Sequence, residues 1–177
     1  MEQKTFALKG NIIYTKERTR FEVMEQGWLV CEEGRVRDVY SVLPEELKGI
    51  PVEDMGDRLI IPGLTDLHIH APQYTFRSLG MDMELLEWLE TNTFPEESKY
   101  KDAEYAKKAY GMFAEQLKKS ATVRACIFGT IHNEATLILM DLLEEAGLHT
   151  MVGKVNMDRN SPDYLCEPSA EASAQAT

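Results

Sequence analysis

Apolar positions recur with two different periods along the chain, and the change between them divides it. From residue 5 to 58 the apolar residues come in short alternating runs, which predict strands at Phe6–Tyr14, Trp28–Cys31 and Val36–Tyr40. Glu32-Glu33-Gly34 reads as a hairpin turn, with glycine where a positive φ is needed. Pro44, Gly49 and Pro51 then interrupt the pattern before a further strand begins near Arg58. From Leu59 strands alternate with helices. Leu59–His70 reads as the first strand, followed by a helix capped by Asp82 and running to about Glu90, with Leu85, Leu86 and Leu89 on its apolar side. Between residues 102 and 119, Ala103, Ala106, Tyr110, Phe113, Ala114 and Leu117 recur at spacings of three and four, the signature of an amphipathic helix. Val123–Ile131 predicts a second strand, Glu134–Ala146 a helix ended by Gly147, and His149–Val155 a third strand. The tail from Ser169 to Thr177 begins as a helix and stops, which suggests a truncated chain.

Strand and helix alternation implies an α/β fold with a parallel sheet, here three strands of a (β/α)8 barrel. The expected domains are 1–58, a small β region, and 59–177, the first strands and helices of the barrel. At 177 residues the chain is short for a complete barrel, which takes about 250. A net charge of −11, from 30 acidic and 19 basic residues, argues against nucleic-acid or anionic-membrane partners. Cys31, Cys126 and Cys166 lie far apart without C-x-x-C spacing, so neither a disulfide framework nor a zinc ribbon is indicated. With no signal-peptide pattern and no apolar run approaching about 18 residues, a reducing cytoplasm is the expected home.

The candidate chemistry lies in Pro62-Gly63-Leu64-Thr65-Asp66-Leu67-His68-Ile69-His70. Alternate strand residues share a face, so His68 and His70 point the same way and are candidates to hold one metal ion. Strict alternation adds Leu64 and Asp66 to that face and sends Thr65, Leu67 and Ile69 to the other. Two ordinary histidines on a half-buried strand are the competing reading. Asp66 is a candidate acceptor for an imidazole N–H, or part of a polar layer. Glu96-Glu97 and Lys107-Lys108 read as solvated.

After the pair come Ala71-Pro72-Gln73-Tyr74, Leu85-Leu86-Glu87-Trp88-Leu89, Thr93-Phe94-Pro95, Thr130-Ile131-His132 and Gly153-Lys154-Val155-Asn156-Met157-Asp158. From about Phe6 onward this series resembles the N-terminal part of the guanine deaminases of the amidohydrolase superfamily. The resemblance implies a metal-dependent-hydrolase barrel preceded by part of a β-sandwich, which a C-terminal segment beyond this sequence would complete. It implies one zinc, with His68 and His70 as two of its ligands and the others on later strands, and hydrolytic deamination of guanine to xanthine and ammonia. It assigns Gln73 to the substrate, since a carboxamide offers a donor and an acceptor side by side to a purine edge. Arg77 is the second substrate candidate, with a solvated guanidinium as the alternative. His132 is read as standing behind the ligands or as structural. A homodimer is implied for the full-length protein, and the 177-residue chain alone is expected to be inactive. Ala121 and Val123 stand where the family has a Gly-Thr-Thr run, and Ala121 is expected to strain its turn.

Two alternatives stay open. Another amidohydrolase, such as a hydantoinase-like amide hydrolase or an adenosine-type deaminase, shares the His-x-His strand. A non-catalytic stub is the reading from a different class. The unrelated zinc nucleobase deaminases carry His-x-Glu and Pro-Cys-x-x-Cys, and neither occurs here.

Overall fold

The N-terminal alternation folds as a four-stranded mixed sheet of β1 (Phe6–Glu17), β2 (Arg20–Glu32), β3 (Arg35–Tyr40) and β4 (Val52–Ile60), in the order β3-β2-β1-β4. The computed structural model describes residues 5–177, so residues 1–4 of the first expected domain lie outside the description. β1 runs antiparallel to β2 and parallel to β4. The β2–β3 hairpin turns at Glu33 and Gly34, both with positive φ, as the turn chemistry requires. β2 is longer than its apolar run indicates. It begins at Arg20, because the Glu17↔Arg20 pairing with β1 carries even its polar end into the ladder. Ala7, Val30 and Leu47 form a small core, with Trp28 and Tyr40 packed against it.

The compact units divide after Pro62, not at residue 58. The run expected as one strand from Leu59 to His70 is two: β4 ends at Ile60 and β5 spans Leu64–His70. Pro62 lacks the N–H a ladder needs, and residues 61–63 belong to neither strand. A Cβ at Gly63 would lie 2.3 Å from Val123 Cγ2, so only glycine lets β5 start this close to its neighbour.

β5, β6 (Thr122–Phe128) and β7 (His149–Gly153) form a parallel sheet in the order β5-β6-β7. α3 (Ala103–Lys118) follows β5 and α4 (Asn133–Glu145) follows β6. The Asp102 carboxylate caps α3 by accepting the backbone N–H groups of Glu104 and Tyr105 at 2.8 and 3.3 Å. The 3.6-residue pattern of α3 turns Ala106, Tyr110, Phe113 and Leu117 onto Ala125 and Ile127 of β6, together with Ala135, Leu139 and Leu143 of α4. Each large member contributes about 1.5–3 kcal/mol on leaving water. Ala121 has no positive φ and suffers no strain; its carbonyl accepts the Leu64 N–H at 2.8 Å.

The helix expected from Asp82 differs. Glu84, not Asp82, is its N-cap residue; α1 (Leu85–Trp88) passes through a π turn at Leu89–Thr93 into α2 (Phe94–Ser98). Leu85 and Leu86 are 67% and 73% exposed, so little of either is covered here. A 3₁₀ segment, Ala71–Phe76, links β5 to this region, and α5 (Ala170–Ala176) lies at the end of the chain. His149 opens β7, at the start of the expected third strand.

Candidate metal and substrate site

The strand that carries the two histidines is not regular. Asp66 pairs with Ala125 and Ile69 with Ile127, three steps along β5 against two along β6, so one extra residue is accommodated at Leu67–His68. The extra residue breaks strict alternation. Asp66 and Ile69 fall in register with buried Ala125 and Ile127, on the helix-packed face, while His70 falls in register with Phe128 on the other. The expectation that Asp66 shares the histidine face is therefore overturned. Its carboxylate instead accepts the backbone N–H of His68 at 3.0 Å, closing the irregularity from the side-chain direction.

Across the bulge the two imidazoles still converge, with His68 Nε2 and His70 Nε2 3.2 Å apart. Two nitrogens bound to one tetrahedral zinc at about 2.0–2.1 Å lie about 3.3–3.4 Å apart, so the pair fits a single ion as it stands. Burial, and then the charge on His68, lower the pKa of His70, which favours the neutral ring that ligates metal. Among the described residues no group of three or more His, Cys, Asp or Glu side chains is placed to hold a metal. By itself the pair would fill two of the four positions of a tetrahedral shell.

Gln73 and Arg77 join the pair in one cleft of about 500 Å³, lined by His68, Ile69, His70, Gln73, Tyr74, Arg77 and Phe113. Four of the six residues nominated from the sequence therefore meet. Gln73 is half-buried, on the 3₁₀ segment directly after the histidines. The Arg77 guanidinium lies over the Tyr74 ring, 4.1 Å from its centroid, and donates to the Tyr74 carbonyl at 3.1 Å. It is held by its own segment, which is a different arrangement from a freely solvated side chain.

The other two nominees lie elsewhere. Asp66 braces the backbone as described, and His132 is not among the lining residues. His132 is the N-cap residue of α4; its carbonyl accepts from the Thr136 N–H and hydroxyl at 3.0 and 3.1 Å. Its Nε2 is buried without a hydrogen-bond partner among the described residues. Burial and the positive charges of Lys101 and Lys154 lower its pKa.

The structure also adds residues the sequence did not mark. Phe128 lies against both imidazoles, with centroids 4.8 Å from each. Glu96 and Glu97, expected as solvated, are only 8% and 4% exposed. Glu96 accepts from the Thr75 hydroxyl at 2.6 Å, from the Tyr105 hydroxyl, and from Lys99 at 2.6 Å, so α2 ties down the segment that carries Gln73. Burial pushes its carboxyl pKa up, but these donors hold it below the ordinary value. No such donor reaches Glu97 among the described residues, and burial raises its pKa to about 7. Their burial comes from partners in distant segments, which no local pattern reveals.

The chain belongs to the Amidohydrolase family, whose match covers residues 59–176. Within it, the chain is 34% identical to the guanine deaminase of Dictyostelium discoideum over 93% of its own length, and 36% identical to that of Escherichia coli over 85%. Its fold matches a solved guanine deaminase from C. acetobutylicum, with guanine bound in the active site, at a TM-score of 0.91, with 43% identity over 98% of this chain. The chain spans only 40%, 34% and 41% of the lengths of these three proteins.

Proposed function

We infer that this chain is the metal-anchoring and purine-reading part of a guanine deaminase. In this reading its three parallel strands open a (β/α)8 barrel, its four-stranded sheet belongs to a β-sandwich, and a longer polypeptide completes both. The observation that carries the reading is the convergence of two imidazole nitrogens, 3.2 Å apart, beside a cleft that holds Gln73 and Arg77. Support for guanine over other amidohydrolase substrates comes from the named relatives and from Gln73.

His68 and His70 would hold zinc as neutral Nε2 ligands. Zinc bound there supplies Lewis acidity and activates water at neutral pH. Gln73 would set its amide against the purine edge with one donated and one accepted hydrogen bond. The Arg77 guanidinium, stiffened over Tyr74, would stand ready to meet a ring carbonyl. The overall change is guanine plus water to xanthine plus ammonia. The proton-moving group and the remaining ligands are assigned to the segment beyond this chain.

The test is kinetic. The chain is co-expressed with the C-terminal part of a related guanine deaminase and assayed for xanthine formed from guanine, with adenine and a cyclic amide as controls. Guanine is the expected substrate, and Gln73→Ala is expected to lower kcat/KM by the equivalent of about 1.5–3 kcal/mol, with zinc content unchanged, because it leaves a buried polar partner unpaired. Turnover of a control substrate but not guanine would favour another amidohydrolase. Equal kinetics for parent and Gln73→Ala would remove Gln73 from the site.

A further inference from the structure

The metal reading explains what two imidazoles can do once they converge; it leaves open what makes them converge. An imidazole on an exposed strand face has a broad χ2 distribution, and two such rings reach a single point only if both are held. Among the described residues the two ring nitrogens are hydrogen-bonded to each other at 3.2 Å, but that bond ties one ring to the other without fixing where the pair points, and Asp66 takes up the His68 backbone and not a ring. A single side chain from the neighbouring strand touches both. Phe128, at the end of β6, is in register with His70, and parallel strands lie about 4.8 Å apart. Side chains in register stand side by side at that spacing, and the two ring centroids are 4.8 Å apart with planes 15° from parallel. The bulge at Leu67–His68 brings the His68 ring to the same phenyl at 4.8 Å and 49°. Both separations fall in the range of favourable aromatic pairs.

We propose that Phe128 is a positioning residue for the metal pair: one phenyl ring, stacked on His70 and tilted against His68, aims both Nε2 atoms at one ion. The proposal rests on the reading of His68 and His70 as metal ligands. It adds a role on β6 to a site whose other members lie on β5, the segment after it and α3. An aliphatic side chain of similar bulk would fill the space but leave the His70 ring free to turn about χ2. Tyrosine would keep the stacked face.

The test uses the 177-residue chain with histidines labelled, studied by magic-angle-spinning NMR so that self-association does not interfere, together with zinc competition against a chromophoric chelator. In the zinc-free parent, both imidazoles are expected to show contacts to the Phe128 ring and upfield ring-current shifts. Phe128→Leu is expected to lose the shifts and to bind zinc on the order of tenfold more weakly, the usual scale for groups that orient metal ligands, while Phe128→Tyr stays close to the parent. Parent spectra without Phe128 contacts would overturn the proposal even if Phe128→Leu fails to fold. So would loss of zinc in His68→Ala and His70→Ala combined with parent-like affinity in Phe128→Leu. Zinc affinity unchanged in both histidine variants is a different failure: it overturns the metal reading itself.

Discussion

Glu97 shows how a single side chain can set the pH response of this fold. Its carboxyl is 4% exposed, and burial raises its pKa from an ordinary 4.5 to about 7. The folded state therefore favours the protonated acid. Stability from this group is fully present below the unfolded value, near 4.5, and is lost as the pH rises through about 7, to a total of about 3 kcal/mol. His70 and His132, whose pKa values are lowered, act in the opposite sense, losing stability as the pH falls through their folded values. Comparing parent with Glu97→Gln cancels those groups. The difference in unfolding free energy measured by urea titration should shift by about 3 kcal/mol between pH 4.5 and 7.5, with the parent the one that weakens. A constant difference over that range would show that the Glu97 carboxylate is solvated after all. The sequence gives no hint of this burial, since Glu96-Glu97 follow a proline in an acidic stretch. Only the arrival of Thr75, Tyr105 and Lys99 separates the Glu96 carboxylate from that of its buried neighbour.

At the scale of elements, the periodicity identified α3, α4, β6 and β7 to within a few residues, because each buries a continuous apolar stripe against the same core. It failed at β5 for a physical reason. A bulge is a property of two strands in register, and alternation within one strand cannot reveal the extra residue at Leu67–His68. The same limit hid Phe128, whose importance depends on pairing with His70. It also misjudged the helix near Leu85, which runs on through the π turn to Ser98 and leaves Leu85 and Leu86 largely exposed. The bulge makes a further prediction. Asp66→Ala removes the acceptor for the His68 N–H and should cost about 1 kcal/mol in unfolding free energy, together with a loss of zinc affinity, whereas Asp66→Asn retains an acceptor oxygen and should lie close to the parent. If Asp66→Ala matches the parent in both measurements, the irregularity is held by the ladder alone.

For the whole chain, the important feature is what lies uncovered within each unit. The sheet of the second unit packs helices on one face, while Leu67 and Met151 on the other are 74% and 69% exposed. In the first unit Phe21, Val23 and Val36 are 70%, 64% and 59% exposed. Parallel sheets are ordinarily covered on both faces, and bare apolar surface with unpaired strand edges invites association. The 177-residue chain alone is expected to form oligomers by light scattering and to release no xanthine from guanine. Both should change when the C-terminal part of a relative is co-expressed. A monodisperse monomer that turns over guanine would refute this. The central claim is narrower: the chain contributes two imidazoles, and only two, to one ion. Zinc K-edge X-ray absorption of the zinc-loaded 177-residue chain tests it most directly, since scattering from imidazole rings counts the histidines bound. The predicted result is two histidine nitrogens at about 2.0–2.1 Å with the rest of the shell water oxygen, and a count of none, one or more than two would contradict it.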